Sequence, residues 1–119
     1  MKTTFLSHLR DLNNSCVDIK ASALASTDGL IMATTLPQDM DEDSVAAISA
    51  GALVLGNRTS KECDSGSLEQ ILIRCKENCV VMTQAGKESI LTVMTHPQAD
   101  MDLIFNHTKR IAEKIGMMM

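Results

Sequence analysis

Four cysteines, Cys16, Cys63, Cys75 and Cys79, and three histidines, His8, His96 and His107, are the residues of this chain that could hold a metal ion or attack an electrophile. A thiolate or an imidazole does either only when partners converge on it: a structural zinc takes four such ligands, and a nucleophile needs a base within hydrogen-bond reach. Cys75 and Cys79 are the closest pair, but their Lys-Glu-Asn spacer suits a hairpin turn, and the histidines are not spaced to supply two further ligands. No metal site is expected. The cysteines read as free thiols, because a chain of this size with no secretory leader does not need disulfide staples.

Serine, cysteine, histidine and carboxylates all occur, yet none stands in a recognisable nucleophile context, and Gly86-Lys87 lacks the rest of a phosphate-cradling Gly-x-x-x-x-Gly-Lys-[Ser/Thr] loop. The chain is therefore expected to have no catalytic residue and no cofactor, and not to be an enzyme. His8 and His107 fall within helical segments and His96 precedes Pro97 at a strand end, all positions where a surface imidazole is the ordinary outcome.

The elements that carry these residues follow from composition and periodicity. At 119 residues with 45% hydrophobic and 22% charged side chains, the chain can build one packed core. That core is filled by Leu, Ile, Val, Met and Ala, since Phe5 and Phe105 are the only aromatics. Few aromatics and a net charge of −4 with scattered basic residues exclude the stacking platforms and basic footprint that nucleic acids need. No stretch approaches the ~20 apolar residues that span a bilayer. A cytoplasmic protein is expected.

Phe5, Leu9, Leu12 and Cys16 recur at helical offsets and predict a first helix ended near Asn13-Asn14-Ser15. Ile19 to Ser26 and Leu30 to Ala33 predict two strands joined by the turn residues Thr27-Asp28-Gly29, and Pro37 stops the second. The acidic run Asp39, Asp41, Glu42, Asp43 sits where a helix N-terminus favours negative charge. A second helix is predicted from Val45 to about Arg58. Strands follow at Gly66 to Arg74, Cys79 to Thr83 and Ser89 to Thr95, separated by turns, and a last helix begins near Asp100, with Gly116 as its cap. Residues 1–116 are expected to form one domain and 117–119 a frayed tail.

The second helix leaves almost no polar face, and its small residues Ala46, Ala47, Ala50, Gly51 and Ala52 permit close backbone approach. A helix apolar all round must be covered on more than one side. One side can lie on the sheet, and the simplest second layer in so short a chain is the same helix of another copy across a two-fold axis.

This order of elements resembles the roadblock / dynein light chain family over nearly the whole chain. The turn Asp28-Gly29-Leu30, the Ala-rich helix from Val45 to Arg58, and the run Gly66-Ser67-Leu68-Glu69-Gln70-Ile71-Leu72-Ile73 carry the resemblance. It implies an α+β, profilin-like αββαβββα fold, a five-stranded antiparallel sheet sandwiched by helices. It also implies a homodimer joined through the second helix and third strand, for which Ala50, Leu53, Val54, Leu68, Gln70 and Leu72 are the interface candidates. Members act as subunits or regulators, some as dynein light chains and others on Ras-like GTPases. The resemblance thus implies a non-catalytic binding module whose partners are itself and a small Ras-like GTPase; the alternative is a structural light chain or scaffold subunit of a motor or signalling assembly. Arg58 and Arg74 are the arginines that such a regulator could lend to a GTPase site, unless it acts by ordering the switch loops. Cys63, Cys75, Cys79 and the methionine-rich end are not part of the family pattern.

Overall fold

The computed structural model describes residues 2–119, with side chains from Phe5 onward. Its elements are α1 (Lys2–Ser15), β1 (Ile19–Ser26), β2 (Ile31–Thr34), α2 (Glu42–Glu62), β3 (Gln70–Arg74), β4 (Cys79–Gln84), β5 (Ser89–Thr95) and α3 (Met101–Met117). The strands form one antiparallel sheet in the order β2-β1-β5-β4-β3, so β1 and β5, far apart in sequence, pair at its centre and β2 and β3 are its edges.

Alternation along the strands builds two separate cores, because successive side chains point to opposite faces. Leu24, Val81, Leu91 and Val93 meet Leu9 and Leu12 of α1, Cys16 just after it, and Ile104, Ile111 and Ile115 of α3. Their chain neighbours Ala25, Met82 and Ile90 meet Ala46 and Leu53 of α2 on the other face. Two helices thus cover one face and a single helix the other. That asymmetry leaves part of the α2 layer open.

Several boundaries differ from the sequence expectation. β2 starts at Ile31, and Leu30 stays in the turn, 68% exposed. α2 is longer at both ends. Asp41 is its N-cap, accepting from the Asp43 and Ser44 backbone N–H groups, so Glu42 and Asp43 fall inside the first turn. Its polar last turns remain helical in solvent, with the Thr59 hydroxyl bonded to the Leu55 carbonyl. β3 starts at Gln70 rather than Gly66, because Asp64 and Gly66 take positive φ (51° and 82°) and turn the chain first. Gly116 is not the cap of α3: the helix runs to Met117 with Met118 as C-cap, and the Ser89 hydroxyl donates to Met119 Sδ at 3.6 Å.

The Ser44 hydroxyl, with the Ser44 and Asp43 N–H groups, holds the Asp41 carboxyl below its ordinary value of 3.8. A depressed folded-state value contributes stability that is fully present above the unfolded value and is lost as pH falls through the folded one. The melting temperature of the native chain should therefore exceed that of Asp41→Asn by most at neutral pH. The gap should shrink as the pH drops below about 4, which thermal scans across pH will show.

Candidate interaction surface

Along α2 each residue turns about 100° from the last, and burial sorts the helix into three flanks. Ala46, Ser49 and Leu53 face the sheet; Ser49 shares a 2.7 Å hydrogen bond with Thr92 of β5. On the side toward β3 lie Ile48, Ala52 and Leu55, with Ile48 63% and Leu55 67% exposed. On the side toward the β1–β2 turn lie Ala47, Ala50 and Val54, where a Cβ on Gly29 would come within 3.5 Å of the Ala47 Cα. Val54 is 68% exposed on this flank. No charged side chain occurs between Val45 and Asn57.

The β3 side continues onto the sheet. Ile71 packs against the α2 core cluster and Ile73, 40% exposed, points to the same face. Between helix and strand runs an apolar groove of about 500 Å³ lined by Ala52, Leu55, Gly56, Leu68, Ile71 and Ile73. Gly56 allows this approach: a Cβ there would stand 2.8 Å from Leu68 Cδ2.

Beside the groove is a free strand edge. Cys75 donates its N–H to the Asn78 carbonyl, which closes the β3–β4 hairpin and sets its hydrogen-bonded pairs at Ile73 with Val80 and Ile71 with Met82. The backbone N–H and C=O groups of Gln70, Leu72 and Arg74 consequently point away from β4, to the open side. An unpaired edge of this kind is a template for another strand.

The sequence candidates fall in different places. Val54 and Leu72 are exposed, at 68% and 39%, and Ala50 and Leu68 are half-buried. Leu53 is 5% exposed and belongs to the core under α2. The Gln70 side chain turns inward to α3, donating from Nε2 to Thr108 Oγ1 at 2.9 Å and Thr83 Oγ1 at 3.0 Å. Arg58 and Arg74 are exposed on different elements. Ile48, Leu55 and Ile73, which are not among the sequence candidates, are exposed on the same side as the groove. The signal was available for the helical pair: Ile48 and Leu55 lie seven apart and off the phase of Ala46 and Leu53, also seven apart.

Cys16 and Cys79 are buried, Cys63 and Cys75 are exposed, and all are free thiols. No group of three or more metal-binding side chains converges among the described residues, and no helix among them is long and apolar enough to cross a membrane. His107 Nδ1 lies 3.0 Å from Arg110 Nη2 on the exposed side of α3.

These layers define a profilin-like α+β sandwich: profilin IB of Acanthamoeba castellanii has the same fold, with a TM-score of 0.71 at 14% identity over 97% of this chain and 99% of that one. Residues 8–95 match the Roadblock/LC7 domain family, and the chain belongs to it. Myxococcus xanthus MglB shares the fold with a TM-score of 0.88 at 16% identity, over 98% of this chain and 88% of that one. An uncharacterised protein of Methanocaldococcus jannaschii is 37% identical over 105 residues, 88% of this chain and 91% of the relative.

Proposed function

We propose that two copies of this chain associate through the β3 edge and the neighbouring flank of α2, and that the dimer is a non-catalytic binding module for a small Ras-like GTPase. The observation that carries the reading is the coincidence of a free strand edge with an uncharged apolar helix flank and the groove between them. Antiparallel pairing of β3 with its own copy, centred on Leu72, matches every outward group. Leu72 faces the partner's Leu72, and Gln70 faces the partner's Arg74, as hydrogen-bonded pairs. The same register sets Ile71 beside the partner's Ile73 on the α2 face, so that the apolar flanks of the two helices cover each other.

The choice of a GTPase rests on membership of a family in which regulators of such proteins occur. Pairing through the β3 side leaves Ala47, Val54 and Arg58 of each α2 uncovered, a surface doubled by the two-fold axis. Arg74 lies within the pairing register. Of these two candidates, Arg58 is the one that stays available to a partner.

Light scattering of the purified chain, together with a pull-down from native extract read by mass spectrometry and an assay of GTP hydrolysis and exchange, tests the proposal. A dimer that retains a Ras-like GTPase and changes either rate is the expected result. A monomer overturns the first half. A dimer that recovers only motor or scaffold chains replaces the second half with the structural-subunit reading. Where hydrolysis is stimulated by an inserted arginine, Arg58→Ala should lower the stimulated rate about a thousandfold; an unchanged rate assigns the effect to ordering of the switch loops.

A further inference from the structure

We propose that Gln70 is a positioning residue that ties the dimer-forming edge to α3, so that α3 helps set how firmly two copies associate. This inference rests on the β3-edge reading above. α3 lies mainly over β4 and β5 rather than over the edge strand. Between α2 and β3 the chain passes through residues 63–67, all exposed and turned by Asp64 and Gly66, and the start of the strand is held on one face by Leu68 and Ile71 against the α2 cluster.

The Gln70 amide holds it from the opposite face. Its Nε2 reaches Thr83 Oγ1 on β4 at 3.0 Å, and on α3 it reaches Thr108 Oγ1 at 2.9 Å and the Phe105 carbonyl at 3.3 Å. Two N–H groups serve three acceptors, so one of these bonds is shared. Thr108 is fully buried in the middle of α3 and is fixed in turn by its own bond to the Ile104 carbonyl at 2.9 Å. The Lys109–Glu69 ion pair, 3.7 Å long, is the neighbouring link, from α3 to the residue just before β3, but both side chains are largely exposed and such pairs contribute little.

Gln70 is therefore two things at one position. Its backbone faces the free edge and its side chain grips the interior. An edge held in its pairing geometry before association loses less freedom on binding than one that must first be ordered, and that difference appears in the dissociation constant.

The test compares Gln70→Leu, Thr108→Val and the double variant, with Thr108→Ser as the control that keeps the hydroxyl. Thr108 is in the interior of α3, away from the strand edge, so a role in local packing alone would leave association unmoved by Thr108→Val. The expected result is dimer dissociation weakened roughly tenfold by either single variant, no further loss in the double, since coupled groups are non-additive, and a native constant for Thr108→Ser. Hydrogen exchange of the Ile71 and Ile73 amides, which bond to β4, should accelerate in the two weakening variants. A folded Thr108→Val with a native dimer constant and native exchange at β3 overturns the proposal. Should the native chain be monomeric, the dimer reading fails on its own; the exchange rates at Ile71 and Ile73 then still decide whether Gln70 positions the edge.

Discussion

Leu53→Glu is expected to abolish folding, while Leu55→Glu, two residues along the same helix, is expected to leave a folded monomer. Leu53 is 5% exposed among Ala25, Ala46, Met82 and Ile90. Losing its contacts costs about 2–5 kcal/mol. A carboxylate there either stays charged and unpaired in an apolar cluster or takes up a proton, at a further cost of several kcal/mol. Against a total stability of about 5–15 kcal/mol, that loss is decisive. Leu55 is 67% exposed and lines the groove beside β3. Its replacement should change monomer stability by no more than about 0.5 kcal/mol. In the proposed dimer the same change sets a charge into the apolar flank on both sides of the axis, and association should weaken by about a hundredfold or more. Circular dichroism melts and light scattering at matched concentrations separate the two effects. A folded Leu53→Glu would show that α2 does not sit on the sheet by this face. A dimeric Leu55→Glu would show that association uses another surface.

Gly116→Ala is expected to destabilise the chain, although alanine is the better helix former by up to about 1 kcal/mol. A Cβ at Gly116 would stand 2.8 Å from the Gly86 backbone nitrogen and 3.1 Å from its Cα. Gly86 is at φ +75° in the β4–β5 turn, so the obstacle is backbone held in a turn and not the end of a flexible side chain. α3 must lift or the turn must move, and overpacking of this kind costs about 1–3 kcal/mol. The net effect should be a loss of about 1–2 kcal/mol and a fall in Tm of several degrees.

Two sister glycines calibrate the measurement. Nothing lies within 4 Å of a Cβ at Gly51, so Gly51→Ala should raise Tm. Gly56→Ala meets only Leu68 Cδ2 at 2.8 Å and the Ile71 side chain from 2.9 Å, groups that can swing aside, and should be close to neutral. Equal gains from Gly116→Ala and Gly51→Ala would exclude the close approach of α3 to the β4–β5 turn.

The local punctuation of this chain was legible without coordinates. Asp100 caps α3 through the Leu103 N–H, Gly29 turns the first hairpin at φ +87°, and Ile104, Thr108, Ile111 and Ile115 form the buried stripe of α3. These features depend on neighbours within a few residues: a cap, a positive φ or a helical period is a property of a short window. The element order followed from the same signals. The ends of α2 and the start of β3 did not, because solvent tolerates polar residues in a helix and a turn can occupy the first half of a β-branched run.

Which apolar residue faces which layer was decided only by the tertiary structure. Leu53, Val54 and Leu55 are equivalent by composition, yet one is core and two are exposed, because the phase of α2 is set by Ser49 reaching Thr92 and by Leu53 settling among β1, β4 and β5. The Gln70 side chain turns to α3, where it meets Thr108, 38 residues away in sequence. The composition of α2 by itself showed more apolar surface than one sheet face can cover, since burial is a sum over side chains. Which edge and flank stay open, β3 and the side of Ile48 and Leu55, required the strand order, because pairing of β1 with β5 is what places β3 at the margin of the sheet.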